Sequence, residues 1–228
     1  MQAELRLFHD RLPARGAVQA LPDVAARVLY VVEGALALHA PPPGGTCTTL
    51  GANSAASCAQ DCRIAAGSQP ASVLRWELVP ADTPAQAAAL SGTEGASTLL
   101  LRAALTLGAL SDWLLRCDRV DFPAGGEALT HTHQGGGIRC LLHGAIRIET
   151  QGQVHAYAPL QAWFEAGPDP VYAATHAEQP SAFVRVMVLP RALLGGQSSI
   201  RYVRAEDLDR PKSQRYQLFV DELLAHAR

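Results

Sequence analysis

The chain has 228 residues, a hydrophobic content of 48% and a formal net charge of −2 at pH 7. Its length fits one large domain or two domains of about 100 residues each, with ample material for a core. The balanced charge gives no electrostatic footprint for nucleic acid, and no run of about 18 apolar residues predicts a membrane span.

The N-terminus and the cysteines bear on the cellular compartment. Residues 1–6 lack a basic region followed by an apolar one, so we expect no secretion signal. The five cysteines are odd in number, and their spacing matches no zinc motif. We therefore expect reduced thiols in a cytoplasmic protein.

Short β-rich runs separated by turn residues fill residues 1–80. One run, 28–33, is closed by Gly34, and another, 73–79, is closed by Pro80. Turn signals recur roughly every ten residues in this half. Many short strands at that spacing indicate a sandwich or barrel rather than alternating strands and helices.

A connector is predicted over residues 81–112. It starts with the alanine-rich stretch 84–90, which is compatible with a helical turn, and loosens in the Ser- and Gly-containing stretch 91–95. Residues 99–113 are apolar enough to supply early strands of a second barrel.

The second half of the chain repeats the first at an offset of 110 residues (123 − 13 = 110). The run 28–34 corresponds to 138–144, and 73–80 corresponds to 183–190. Identical residues fall on each other without gaps: Pro13 on Pro123, Gly34 on Gly144, Arg75 on Arg185 and Pro80 on Pro190. The repeat predicts an all-β protein with similar barrels at 1–80 and 113–190.

A tail follows the second barrel, over residues 191–228. It is polar from 201 to 212, and then carries apolar positions between 216 and 224 that fit a helix face or a short strand. Such a segment could cover a barrel edge of its own chain or of a partner chain. We expect a homodimer, the commonest oligomer.

The segment 123–133 resembles the first motif of the cupin family. In that family a glycine-containing turn leads to a His-x-His strand, here His131 and His133, followed by a Glu and then a closing Gly. Gly144 takes the closing position, and Gly137 stands where the Glu would be. The resemblance implies two tandem, jelly-roll-like antiparallel cupin barrels.

The second cupin motif is degenerate in this chain. The family pattern runs Pro-x-Gly, two residues, then a metal-binding His. Only Gly167 agrees, while Glu165 replaces the Pro and Pro170 replaces the His. In the first half, Leu21 and Asp23 lie opposite the two histidines, so we expect no metal in the N-terminal barrel.

The resemblance implies a metal-type site in the C-terminal barrel. Residues i and i+2 of a strand face the same side, so His131 and His133 could converge on one divalent ion. Glu165 is the nearest candidate for a third ligand, and such sets suit Fe, Mn, Ni or Zn. A metal-free cavity lined by the same histidines is the equally weighted alternative.

The candidates for ligand binding are Gln134, Arg139, Trp163 and Glu165. Gln134 lies in the glycine-rich turn after the histidines, and Gly137 could leave space for a bound molecule. Arg139 has the parity of an inward residue, so its partner is Glu165 or a ligand carboxylate or phosphate. Trp163 is either a core residue or a platform for a ligand.

Three functions are compatible with these residues. The chain could be a metal-dependent oxygenase, isomerase or lyase acting on a small acid, a metal-free binding or accessory protein, or a structural component. We rank binding of a small anionic molecule in the C-terminal barrel first. Whether the chain is an enzyme is left undecided.

Overall fold

The structure, a computed structural model, describes residues 2–39, 47–84, 90 and 95–224. It is built almost wholly of antiparallel strands, with three short 3-10 turns at Leu110–Asp112, Arg191–Leu193 and Ala205–Asp207 in the described residues. None of these turns approaches a transmembrane helix in length or apolar character. The chain divides into an N-terminal unit, comprising the described residues up to Leu110, and a C-terminal unit, Ser111–Leu224.

The N-terminal unit pairs a five-stranded sheet of order β6-β3-β8-β1-β9 with a four-stranded sheet of order β2-β7-β4-β5. Leu29 and Val73 of the first sheet meet Leu36 and Ile64 of the second in one buried apolar cluster. The strands are β1 Gln2–Leu12, β2 Gln19–Ala20, β3 Ala26–Glu33, β4 Ala35–His39, β5 Cys47–Gly51, β6 Ser54–Ser57, β7 Arg63–Ala66, β8 Ala71–Pro80 and β9 Ala96–Thr106.

The C-terminal unit has two five-stranded sheets, of order β15-β12-β17-β10-β19 and β14-β13-β16-β11-β18. Phe122 and Phe183 of the first sheet meet Ile148 and Val171 of the second in its core. The strands are β10 Trp113–Phe122, β11 Glu127–His133, β12 Gly137–His143, β13 Ile146–Thr150, β14 Gln153–Tyr157, β15 Ala162–Glu165, β16 Val171–Thr175, β17 Ser181–Pro190, β18 Ile200–Tyr202 and β19 Arg215–Leu223.

The predicted repeat is confirmed at the level of strand register. Ala3 pairs with Pro80 in the N-terminal unit, and Trp113 pairs with Pro190 in the C-terminal unit, so both partners shift by 110 residues (113 − 3 and 190 − 80). An irregularity between Leu7 and Phe8 recurs between residues 117 and 118. Such bulges re-aim a strand, so their recurrence shows that the two barrels bend alike.

Two segments differ from their sequence-based assignment. Residues 99–113 do not start the second barrel, because β9 pairs with β1 and belongs to the N-terminal unit. The apolar part of the tail is strand β19, which pairs with β10. In the N-terminal unit β1 lies between β8 and β9, and in the C-terminal unit β10 lies between β17 and β19. Strands β9 and β19 therefore pair with an edge that would otherwise be open. Most of the predicted helical turn, residues 85–89, lies outside the described residues, and the homodimer stays a prediction.

Gly34 and Gly144 form equivalent turns, and both have φ of +78°. A Cβ on Gly144 would lie 2.2 Å from Oγ of Ser181 and 2.5 Å from the Pro180 carbonyl oxygen. Gly152 has a similar φ of +71°, yet a Cβ there would meet nothing within 4 Å. The pair Gly144 and Gly152 therefore separates the cost of the left-handed backbone from the cost of close packing.

We expect Gly152→Ala to lower the free energy of unfolding by about 1–2 kcal/mol, the usual cost of a left-handed non-glycine residue. Gly144→Ala should cost roughly 2 kcal/mol more, because its methyl group would overlap backbone that cannot move freely. Urea unfolding of both variants measures the difference. Equal losses would contradict the close packing of the Gly144 corner.

Candidate functional site

The His-x-His pair of β11 faces the interior of the C-terminal barrel. His131 and His133 are 6% and 5% exposed, and their rings meet edge to face with the two Nε2 atoms 3.1 Å apart. Strand β18 holds the outer side of β11, with Tyr202 opposite His131 and Ile200 opposite His133. The inward parity expected from the sequence therefore holds for both imidazoles.

The Glu165 carboxylate contacts three side chains of the interior site, those of Arg139, His133 and Trp163. Its Oε2 forms an ion pair with Nη2 of Arg139 at 2.7 Å and lies 3.2 Å from Nε2 of His133. Its Oε1 accepts from Nε1 of Trp163 at 2.8 Å. Strand pairing of β12 with β15 creates this arrangement, because Gly137 lies opposite Glu165 and Arg139 opposite Trp163. Three side chains thus fix one carboxylate.

The hydrogen-bond partners assign the histidine tautomers. His131 Nδ1 lies 2.7 Å from the carbonyl oxygen of Leu129, which only accepts, so Nδ1 carries the proton and Nε2 is an acceptor. His133 Nε2 faces that acceptor and the Glu165 carboxylate, so it is the donor. Nδ1 of His133 then accepts from the Ser199 hydroxyl at 3.3 Å. The network leaves both imidazoles neutral.

Burial and charge set the titration of this network. Burial lowers the pKa of His131 and holds that of His133 at about 3, although Glu165 opposes the shift. Burial would raise the pKa of Glu165, but the Arg139 charge and the His133 hydrogen bond keep it well below its usual range. Burial lowers the pKa of Arg139 to about 10, so the guanidinium stays charged at neutral pH. The site holds one neutralised ion pair and two neutral rings.

The cavity between these residues is small. Its volume is ≈20 Å³, which is room for about one water molecule. The sequence suggested that Gly137 would leave space for a ligand, but the glycine does not enlarge this cavity. A Cβ at this position would lie 2.5 Å from the Val186 carbonyl oxygen. The glycine instead lets β12 pack closely on β17. The cavity is lined by Val120, Phe122, Ala128, His131, His133, Arg139, Ile148, Trp163, Glu165, Val171, Ala173, Phe183, Arg185, Ile200 and Tyr216.

Two other predicted ligand residues have structural roles. Gln134 lies outside the cavity, where its amide donates to the Ser198 carbonyl at 3.4 Å and accepts from Arg201 at 2.6 Å. Trp163 is a core residue that stacks on Tyr157 with ring centroids 4.8 Å apart. Its indole N–H orients Glu165. Arg139 has the internal partner that the sequence left open as one alternative.

A larger pocket, here called the outer pocket, opens beside the interior cavity within the C-terminal unit. Its volume of ≈350 Å³ lies in the range of small-molecule sites. Arg185, Ile200 and Tyr216 line both spaces and form the wall between them. The outer pocket is lined by Arg116, Asp118, Arg185, Gly196, Ser198, Ser199, Ile200, Tyr202, Lys212, Tyr216 and Leu218.

Arg185 is a candidate site residue that the sequence did not single out. It is 6% exposed, and it gives Asp118 two hydrogen bonds, from Nε at 2.7 Å and from Nη2 at 3.2 Å. Its Nη1 makes no hydrogen bond to the residues that the structure describes. The available signal was an arginine inside an apolar strand run, which requires an anionic partner.

Lys212 adds positive charge at the outer pocket. Its Nζ donates to backbone carbonyls in residues 207–210 and lies 4.5 Å above the ring centroid of Tyr202. Arg116 is paired with Asp221 at 2.9 Å. Lys212, by contrast, has no carboxylate within ion-pair distance in the described ranges. The pocket therefore has a net positive wall.

The donor set does not fit the metal ion that the cupin resemblance implies. No group of three or more His, Cys, Asp or Glu side chains in the described part of the chain is arranged to hold one. The Glu165 charge is already neutralised by Arg139, which would also repel a cation placed between His131 and His133. Two neutral imidazoles alone are a weak site for a transition metal.

Solved structures share this fold at low sequence identity, whereas comparison with family models and with curated proteins gives no match. AerE from Microcystis aeruginosa matches at 13% identity and a TM-score of 0.56, over 80% of this chain and 87% of that one. Oxalate decarboxylase from Lactobacillus farciminis, in a formate complex, matches at 12% identity and a TM-score of 0.62, over 90% and 82%. A point mutant of Bacillus subtilis oxalate decarboxylase matches at 10% identity and a TM-score of 0.61, over 91% and 73%.

These likenesses define a class rather than an activity. With its antiparallel sheets and duplicated register, the chain has the fold of a two-barrel cupin. At such identities the fold alone is shared, because one barrel scaffold hosts many chemistries. Function must therefore be argued from the C-terminal site of this chain.

Lowering the pH should destabilise the C-terminal unit from about pH 6.5 downward. The pKa values of His131 and His133 are lowered in the folded state, so their neutral forms stabilise it above 6.5 and unfolding takes up protons below that value. Glu165, also lowered from 4.5, adds a loss in the same direction below 4.5. His133, whose pKa is held at about 3, contributes a slope of about 1.4 kcal/mol per pH unit, and His131 adds to the slope in the same direction.

Urea unfolding between pH 7.5 and 4.5 measures this slope. His133→Asn should reduce it by the equivalent of about one proton, or about 1.4 kcal/mol per pH unit. A variant slope equal to that of the wild type would show that His133 is already protonated in the folded state.

Proposed function

We propose that the C-terminal unit binds a small organic carboxylate in the outer pocket and needs no resident metal to do so. The observation that carries the proposal is Nη1 of Arg185, a donor on a buried guanidinium in the pocket wall that makes no hydrogen bond within the described part of the chain. A carboxylate oxygen placed there would complete the hydrogen bonding of Arg185. Charge-assisted hydrogen bonds of this kind are roughly twice as strong as neutral ones.

The surrounding side chains suit an acid with an apolar body. The Lys212 charge favours the carboxylate, while Ile200 and Leu218 offer apolar contact to the rest of the molecule. Tyr202 and Tyr216 can contribute both ring contact and hydroxyl hydrogen bonds. The interior cavity contributes little to binding, because its volume of ≈20 Å³ leaves room for only about one water-sized molecule.

One structural neighbour supports an anionic ligand. The Lactobacillus farciminis oxalate decarboxylase structure is a complex with formate, a small carboxylate. For this chain the ligand class follows from the charges at its own outer pocket. A metal-dependent oxygenase or isomerase is the alternative, and it requires His131, His133 and Glu165 to act on an ion.

Arg185→Lys should weaken carboxylate binding at least about tenfold, which corresponds to about 1.4 kcal/mol. The lysine keeps a charge opposite Asp118, so the barrel stays neutral inside, but the free arm of the guanidinium is lost. Formate, acetate, oxalate, succinate and benzoate are the probes. Thermal shift in low-chloride buffer ranks them, and calorimetric titration of the best one gives the dissociation constant.

Arg75→Lys is the matched control, since Arg75 occupies the repeat position of Arg185 in the N-terminal unit. Its guanidinium is bound by Asp10 and Glu77, so we expect unchanged affinity. Lys212→Met should weaken binding about three- to tenfold through loss of one charge. The proposal fails if no probe stabilises the protein, if benzamide binds as well as benzoate, or if Arg185→Lys binds as the wild type does.

Removal of metal should leave carboxylate affinity unchanged within about twofold, because the ligand contacts proposed here involve no ion. The measurement is the same titration before and after dialysis against a chelator, with elemental analysis of both samples. A stoichiometric transition metal that is lost together with binding would favour the metal-dependent enzyme instead. The His131→Ala/His133→Ala variant would then also have lost the metal.

A further inference from the structure

The outer pocket carries positive charge at two different depths. Arg185 is 6% exposed and also borders the interior cavity, so it lies at the floor of the pocket. Lys212 is exposed in the segment between β18 and β19, so it lies at the mouth. A ligand that fills the pocket therefore meets one cation at its inner end and another at its outer end.

Apolar surface accompanies both cations. The Cζ atom of Arg185 lies 5.7 Å from the ring centroid of Tyr216, and Nζ of Lys212 lies 4.5 Å from that of Tyr202. Each charge is thus attracted to an aromatic face, which holds it beside the pocket. Ile200 adds aliphatic surface to the same lining. The pocket therefore suits a hydrocarbon segment that joins two anionic groups.

The charges of the lining are unequally balanced. Arg116 pairs with Asp221 at 2.9 Å, and Arg185 pairs with Asp118 at 2.7 Å. Lys212 has no carboxylate within ion-pair distance in the part of the chain that the structure describes. Its ammonium donates instead to nearby backbone carbonyls, so it acts on a ligand as a fixed point charge. It is also the single lysine of the chain.

The size of the pocket exceeds what formate or acetate would fill. At roughly 30 Å³ for each water-sized group, a volume of ≈350 Å³ holds about ten heavy atoms. A ligand of that size with one carboxylate at Arg185 would present uncharged atoms to Lys212. A second carboxylate at the mouth would balance the Lys212 charge instead.

We propose that the outer pocket selects a dicarboxylate with an apolar spacer, with one carboxylate bound at Arg185 and the other facing Lys212. This inference rests on the proposed function, because it takes the carboxylate site at Arg185 as its starting point. The planar fork of an arginine suits a directly bound carboxylate, whereas a lysine contributes a compact charge. Adipate, whose size matches the volume of the pocket, is the reference probe.

Three probes of nearly equal length separate the two ends of the ligand. Adipate carries a negative charge at its far end, monomethyl adipate carries none, and ε-aminocaproate carries a positive charge. Calorimetric titration in low-chloride buffer at neutral pH should rank their affinities in that order. Adipate should bind at least about tenfold more tightly than its monomethyl ester, of which about twofold is statistical because adipate has two equal ends.

Salt tests whether the preference for adipate over its monomethyl ester is electrostatic. Raising the ionic strength from about 0.01 M to 1 M shortens the Debye length from about 30 Å to about 3 Å. The preference should therefore shrink toward about twofold. Competition from salt anions at Arg185 affects both probes alike, so it cancels in their ratio.

Lys212→Met should reduce the preference for adipate to about twofold, because only the statistical advantage remains. Lys212→Arg keeps the charge and should keep the preference. Arg147→Met is the matched control, since Arg147 is an exposed cation of the same unit that pairs with Glu149 and does not line the pocket. It should bind all three probes as the wild type does.

Acetylation of the wild-type protein gives a readout that needs no variant to fold. Because Lys212 is the single lysine, its modification is followed directly by peptide mass. Adipate should slow acetylation of Lys212 more than monomethyl adipate does when both are present at the same fractional saturation. Equal protection would contradict a second carboxylate at the mouth.

The outcomes separate this inference from the proposed function. If none of the carboxylates binds, both are wrong. If monomethyl adipate binds within about twofold of adipate, or if Lys212→Met keeps the full preference, the dicarboxylate inference is overturned while the carboxylate site at Arg185 stands. Tighter binding of ε-aminocaproate than of monomethyl adipate would also overturn it, because the mouth would then favour a cation.

Discussion

The buried ion pair between Arg139 and Glu165 determines what the C-terminal barrel can contain. Each charge alone would be very unfavourable in this interior, and removing one partner of such a pair generally costs about 3–5 kcal/mol. The pair joins β12 to the neighbouring β15, and its carboxylate accepts from the Trp163 indole and gives His133 an acceptor. Because the two charges neutralise each other, the space left beside them needs to hold only about one water.

The two repeats differ in how they pair a buried arginine at one equivalent position. Arg75 and Arg185 occupy equivalent sites in β8 and β17, each inside a strand that is otherwise largely apolar. Arg75 donates hydrogen bonds to two carboxylates, those of Asp10 and Glu77. Arg185 donates two hydrogen bonds to a single carboxylate, that of Asp118. The first arrangement closes the interior of its unit. The second leaves Nη1 of Arg185 without a hydrogen bond to the described residues, and the proposed carboxylate site depends on this difference.

The sequence predicted the fold well because turn residues and strand periodicity are local signals. Gly34 and Gly144 marked equivalent corners, and strand parity placed His131 and His133 inward. The prediction failed where the outcome depends on distant partners. Whether β9 joins the first or the second barrel depends on the open edge of β1, which no local pattern encodes. The site was predicted only in part for the same reason. Strands β18 and β19, which line the outer pocket, come from the tail, far along the chain from β11, so the sequence did not predict this pocket.

Strand pairing explains why the donor set of this barrel departs from the cupin metal motif. The resemblance places a carboxylate on the second strand at Gly137, but in this barrel a side chain there would overlap β17. The carboxylate beside the histidines instead comes from Glu165, the cross-strand neighbour of Gly137. The Glu165 carboxylate lies 2.7 Å from Nη2 of Arg139. Strand parity had predicted that Arg139 faces inward but had not predicted its partner. The interior therefore holds a salt bridge beside the two histidines, and the positive charge of Lys212 lies at the outer pocket.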